Sequence, residues 1–165
     1  MIYKQVIYFF ASAQETTKSR KAAKAYRAAK SAVAIQDYIT AKYLLEEALI
    51  IDGRFVEALI LLGDVSIGLG EEKHGIEAYR KSIPISPRFS FPMYYRLASA
   101  EHSLGDYSEA LKHIRKYLSS KNIAEKYRKK ANSLKKSCEF SIGAKRNPVS
   151  FNPENLGKPI NSDAD

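Results

Sequence analysis

The feature that most constrains this chain is a self-similarity at intervals of 34 and then 35 residues. Aligned at that spacing, Ala28, Leu62 and Leu97 coincide, as do Ala29, Gly63 and Ala98. Gln36, Gly70 and Gly105 correspond, then Ala41, Gly75 and Ala110, then Leu45, Tyr79 and Ile114, and finally Gly53, Pro87 and Asn122. Small residues recur where small residues stood, and turn formers recur at the block ends. A unit of this length cannot bury its apolar face alone, so such blocks are expected to stack on one another around a continuous core.

Within one block, "LILLGDVSIGLGEEKHGIEAYRKSI" has two amphipathic stretches divided by Gly70. Glycine ends the first helix because it tolerates the left-handed conformation. Gly63 and Gly75 carry no side chain, which lets two helices approach closely, with Tyr79 filling the space beyond. In "GDYSEALKHIRKYL" Gly105 stops a helix, Asp106 caps the next, and Glu109 completes a capping box. Tyr107, Ala110, Leu111, Ile114 and Leu118 then form one apolar stripe at helical spacing. Pro84 interrupts the second helix of the middle block, which is expected to end near Ile83. The extra residue before the third block falls in the loop "SPRFSFP".

These helical hairpins, with small residues at fixed heights and Pro87 closing a block, resemble the tetratricopeptide repeat. The blocks are 22–55, 56–89 and 91–124, the first departing from the pattern where Gln36 replaces the turn glycine. The expected fold is all-α: a helical-hairpin solenoid of three repeats over 17–143, ending in a capping helix at 122–143. Asn122 and Glu125 read as another capping box there. Tyr127, Ala131, Leu134, Cys138 and Ile142 read as the cap's packing stripe, and its lysines as the polar outer face that a terminal helix needs.

What the resemblance implies about function is binding. The first helix of each hairpin lines the concave side. By spacing, the partner-binding residues are Tyr26 and Lys30, Asp64 and Ile67, and Tyr95, Arg96, Ser99 and His102. A protein or peptide would lie across them. The family subtype that grips a C-terminal carboxylate with Lys and Asn residues does not fit, because Leu61 and Tyr26 stand where polar groups are required.

The chemistry-bearing residue types point away from catalysis. No nucleophile–base signature, glycine-rich phosphate loop or paired-carboxylate constellation occurs, so neither an enzyme nor a cofactor is expected. His74, His102 and His113 match no metal-ligand spacing and read as exposed helical histidines. A single cysteine, Cys138, excludes an internal disulfide and reads as a buried small hydrophobe. No apolar run reaches the length of a membrane helix.

The net charge is +9, and it is uneven. Residues 112–146 hold twelve basic side chains against two acidic ones. This leaves open an alternative reading, nucleic-acid or anionic-polymer binding through the basic terminal helix.

The two ends carry their own expectations. Residues 1–13 combine Lys4, the apolar run "QVIYFF" and Ala11-Ser12-Ala13, the grammar of a truncated secretory signal peptide. The expected localisation is therefore periplasmic or outer-membrane associated, with a cytoplasmic assembly adaptor as the alternative. At 144–165, "NPVSFNPENLGKPINSDAD" resembles the segment joining a tetratricopeptide domain to a β-propeller in Bacteroidetes-type envelope proteins of the OmpA family. That resemblance implies a linker to a further domain, peptidoglycan contact only through that missing part, and a link to type IX secretion.

Overall fold

The computed structural model describes residues 16–86 and 92–147. The signal-like segment, most of the loop after the second block and the propeller-like segment beyond Asn147 lie outside them. All regular structure among the described residues is helical: α1 (Arg20–Ala34), α2 (Tyr38–Ile51), α3 (Val56–Gly68), α4 (Glu72–Ser82), α5 (Met93–Ser103), α6 (Tyr107–Leu118) and α7 (Glu125–Arg146). Each helix packs mainly on its neighbours in sequence, so α1–α2, α3–α4 and α5–α6 are hairpins stacked in order, and α7 closes the stack on α6 and α5.

The three hairpin turns share one hydrogen-bond pattern. Asp37 N–H donates to the Ala32 carbonyl, Glu71 N–H to Ser66 and Asp106 N–H to Glu101, at 2.8–2.9 Å. The residue before each donor is left-handed: Gln36 at φ 64°, Gly70 at 79° and Gly105 at 78°. Gln36 therefore makes the same turn as the glycines, at a steric cost of about 1–2 kcal/mol for its side chain. Asp37 compensates as the N-cap of α2, accepting from Thr40 N–H at 3.0 Å.

Gly63 lies against the Tyr79 ring, and Gly75 against Ile67 and the Gly63 carbonyl. This close approach joins α3 to α4. Tyr79 sits directly over Gly63 rather than further along. Three apolar clusters run along the stack. The first joins α1, α2 and α3 around Tyr26, Leu45 and Phe55. The second spans α3 to α5 through Ile60, Ile76, Tyr79 and Leu97. The third packs α5, α6 and α7 around Tyr94, Ile114, Tyr117 and Ala131.

Helix α4 ends at Ser82 with Ile83 as its C-cap, as Pro84 requires. Helix α7 differs from expectation at both ends. It begins at Glu125 after an extended Ala124, and no side chain caps it, so the Asn122–Glu125 capping box does not form. It also runs through Gly143 to Arg146, because Gly143 does not enter the left-handed region that would stop it. Only Ala131 and Cys138 of its packing stripe are fully buried, and Tyr127 is about half exposed. The Asp106 cap is half formed. Its carboxylate accepts from Glu109 N–H at 3.5 Å, while the Glu109 side chain turns to Lys112.

Candidate functional site: the row of first helices

Hydrogen bonds between odd-numbered helices show that α3, α5 and α7 lie side by side. Arg96 on α5 donates to Asp64 on α3 at 2.5 Å, and His102 on α5 meets Ser137 on α7 at 2.8 Å. At the start of the row, Thr16 holds Glu57 on α3. Its amide donates to Oε1 at 2.9 Å and its hydroxyl to Oε2. That pairing accounts for the near-complete burial of Glu57.

The eight spacing-selected residues divide into two groups. Lys30, Tyr95 and Ser99 keep side chains at least partly open to solvent. Lys30 rests over the Tyr26 ring, 5.8 Å from its centroid. Tyr95 leans on Tyr117 of α6 at 5.6 Å between ring centroids. The other five have packing or pairing duties. Tyr26 is a core residue, 5 % exposed and tilted against Phe55 at 4.8 Å, so it is not an open groove aromatic. Ile67 packs on the middle cluster beside Gly75. Asp64 and Arg96 are spent on each other, and Asp64 also accepts from the Tyr79 hydroxyl at 2.6 Å. Burial pushes the Asp64 carboxyl up against the pull of Arg96, and pushes the Tyr79 phenol well above its ordinary value. His102 is engaged by Ser137 and stacks obliquely on Tyr107. The accessible part of the row is thus Lys30, Tyr95 and Ser99 around an Asp64–Arg96 pair whose outer atoms remain about one-fifth exposed.

One charged cluster was invisible to spacing. Glu101 is fully buried and bridges Arg80 of α4 at 2.7 Å and His113 of α6 at 2.7 Å. His113 is therefore not an exposed histidine without a carboxylate partner. His74 likewise lies within 3.4 Å of Glu71. The repeat alignment could have drawn attention to Glu101, because it shares its register with Ala32 and Ser66, both buried. Glu101, Glu109 and His113 bring potential ligand atoms within 4.8 Å of one another. The Arg80 guanidinium already supplies the positive charge there, so the arrangement is a buried ion-pair network rather than an open cation site. A small cleft of about 200 Å³ between α2, α3 and α4 is lined by Leu49, Leu59, Leu62, His74, Glu77 and Lys81. It lies apart from the exposed row residues and is smaller than most ligand sites.

Comparison with known proteins agrees with this geometry. The family model described as "Tetratricopeptide repeat" matches residues 56–89 and 91–123. No curated protein matches the chain. Among solved structures, the type III secretion translocator chaperone SycD of Yersinia enterocolitica superposes with a TM-score of 0.66 at 13 % identity, covering 73 % of this chain and 85 % of that one. The Sgt2 TPR domain of Aspergillus fumigatus gives 0.66 at 14 % identity, covering 88 % and 95 %. The first TPR of Spaghetti (RPAP3), solved bound to the HSP90 peptide SRMEEVD, gives 0.67 at 12 % identity, covering 77 % and 97 %. Two matched tetratricopeptide repeats, a preceding hairpin with the same turn geometry and a closing helix give the described residues the fold of a tetratricopeptide-repeat solenoid.

Proposed function

We propose that this chain is a non-catalytic scaffold that holds a protein partner, as an extended peptide or a domain surface, across the row of α1, α3 and α5. The observation that carries the reading is the set of open side chains on that row. Tyr95 offers half-buried aromatic area, Lys30 a cation and Ser99 a hydroxyl, flanking the rigid Asp64–Arg96 pair. Fold neighbours support it by analogy: one was solved with an HSP90 peptide, and SycD in complex with a peptide of the translocator YopD. The test is site-specific photo-crosslinking in the native cell. A reactive residue at Ser99 should trap a discrete partner, and one at exposed Lys73 on α4 should not. Adducts from Lys73 alone, or from neither, overturn the assignment.

We place the scaffold in the cell envelope, as the N-terminal module of a larger peptidoglycan-associated protein linked to type IX secretion. The support is the sequence of residues 1–13 and 144–165. Sequencing the mature N-terminus tests the first part: a start near Gln14 supports export, and a retained Met1 opposes it. The reading frame beyond Asp165 tests the second, and a frame without a propeller overturns it.

A further inference from the structure

Helix α7 carries eight basic and two acidic residues, and its two faces differ in kind. Ala131, Leu134 and Cys138 turn inward onto α5 and α6. The opposite side, at three- and four-residue steps, presents Lys126, Lys129 and Lys130, Ser133, Lys136, Phe140, Gly143 and Ala144, all exposed, while Ser137 on its flank meets His102 of α5. None of these four lysines forms an ion pair with a described residue, whereas Lys135 is paired with Glu139, Arg128 donates to the Ser120 carbonyl and Lys145 to the Gly105 carbonyl. Of the two acids on α7, Glu125 stands at the helix start and Glu139 is held by Arg115 and Lys135. Phe140 is 77 % exposed and is the one large apolar side chain on the face. Its neighbours one turn away are serine, glycine, alanine and lysine, which leave the ring standing proud.

We infer that the outer face of α7 is a docking surface for an anionic lipid bilayer, with the lysines over the headgroups and Phe140 entering the interface. A helix of 22 residues spans roughly 33 Å at its ordinary rise, a strip long enough for a bilayer to meet several lysines at once. Four exposed lysines supply the electrostatic attraction to anionic headgroups, and the exposed Phe140 ring adds apolar area at the interface. Lysine is a point charge with no planar fork for bases, and the single aromatic lies at one end rather than between the cations. Both features favour a lipid surface over a nucleic acid. Among the described residues no helix is long and apolar enough to cross a membrane, so the contact is peripheral. It uses residues of α7, none of them among the eight spacing-selected residues of α1, α3 and α5.

The chain contains no tryptophan, so Phe140→Trp supplies a sole reporter. The full chain carrying it is mixed with vesicles of equimolar phosphatidylcholine and phosphatidylglycerol, and with phosphatidylcholine alone. The expected result is co-flotation and blue-shifted emission with the anionic vesicles only, weakening as salt is raised. Each lysine near such a surface is worth roughly fivefold in partitioning, so Lys129→Ala with Lys136→Ala should lower it roughly 30-fold. Phe140→Ser should weaken it with circular dichroism unchanged, because the ring belongs to none of the apolar clusters among the described residues. The inference is overturned if neither vesicle binds, if both bind alike, if these variants bind as well as the parent, or if duplex DNA or polyglutamate displaces the vesicles at equal charge concentration.

Discussion

Gly63→Ala is the sharpest probe of how the repeats are held together. A Cβ at position 63 would fall inside the van der Waals envelope of Tyr79 Cδ1 and Cε1, and 2.9 Å from Cζ. The ring cannot swing away cheaply, because Tyr79 is 1 % exposed and its hydroxyl is anchored on Asp64 at 2.6 Å. Overpacking of this kind costs about 1–3 kcal/mol. Loss of a hydrogen bond to a charged group adds about 1.5–3 kcal/mol. The alanine returns about 1 kcal/mol of helix propensity. The net expectation is a loss of about 2–4 kcal/mol, a large share of the stability of a domain this size. In urea denaturation followed by circular dichroism, the midpoint should fall by about 1–2 M with the slope unchanged. Gly68→Ala is the control: its Cβ meets only Tyr38 at 3.6 Å, so it should be neutral or stabilise by up to about 1 kcal/mol. In a Tyr79→Leu background, Gly63→Ala should lose most of its penalty. A Gly63→Ala protein as stable as the parent, or an unrelieved penalty in the double variant, would refute the account.

Three further outcomes are expected. Arg96→Ala leaves the Asp64 carboxylate with only the Tyr79 hydroxyl among the contacts described above, and should cost about 1.5–3 kcal/mol by urea titration. An unchanged midpoint would show the Asp64–Arg96 pair to be incidental. Cys138 is fully buried, with its thiol pushed up by that burial. A thiol reagent should therefore label the native chain slowly and the unfolded chain rapidly, and fast native labelling would contradict its place in the core. Hydrogen bonds from Thr40, Lys42 and Lys81 hold the carboxyls of Asp37, Glu71 and Glu77 below their ordinary values. Folded values below the unfolded ones mean stability that is present above about pH 4.5 and lost as pH falls through the folded values. Asp64, raised by burial, acts with the opposite sign. The urea midpoint should thus drop on acidification, and drop more steeply in Asp64→Asn; a shallower drop there would show the sign to be wrong.

The legibility of this protein in its sequence follows from what each signal measures. Periodicity reports which side of a helix is apolar, so hairpin phase, turn positions and the α4 stop at Pro84 could be read directly. Even Gln36 was placed at the right turn, although its side chain argues against a left-handed backbone. Periodicity does not report what stands opposite a given side chain. Tyr26, Arg96 and His102 have the register of groove residues, yet Phe55, Asp64 and Ser137 claim them. Those partners lie 29, 32 and 35 residues away, roughly one repeat, where only stacking of the next hairpin brings them into reach.

The same division holds at the chain's last helix. Composition announced a basic terminal helix and left its boundaries to turn formers. In the folded chain α7 passes through Gly143, because a glycine stops a helix only when its backbone turns left-handed. Sequence alone determined that this chain is a stack of helical hairpins, since that property is local and repeats. Tertiary structure decided that Glu101 is buried between Arg80 and His113, that Asp64 and Arg96 spend their charges on each other, and that Lys129, Lys136 and Phe140 are exposed among the described residues. Charges and rings are assigned by which surfaces meet, and hairpin stacking sets those meetings at separations no local pattern encodes.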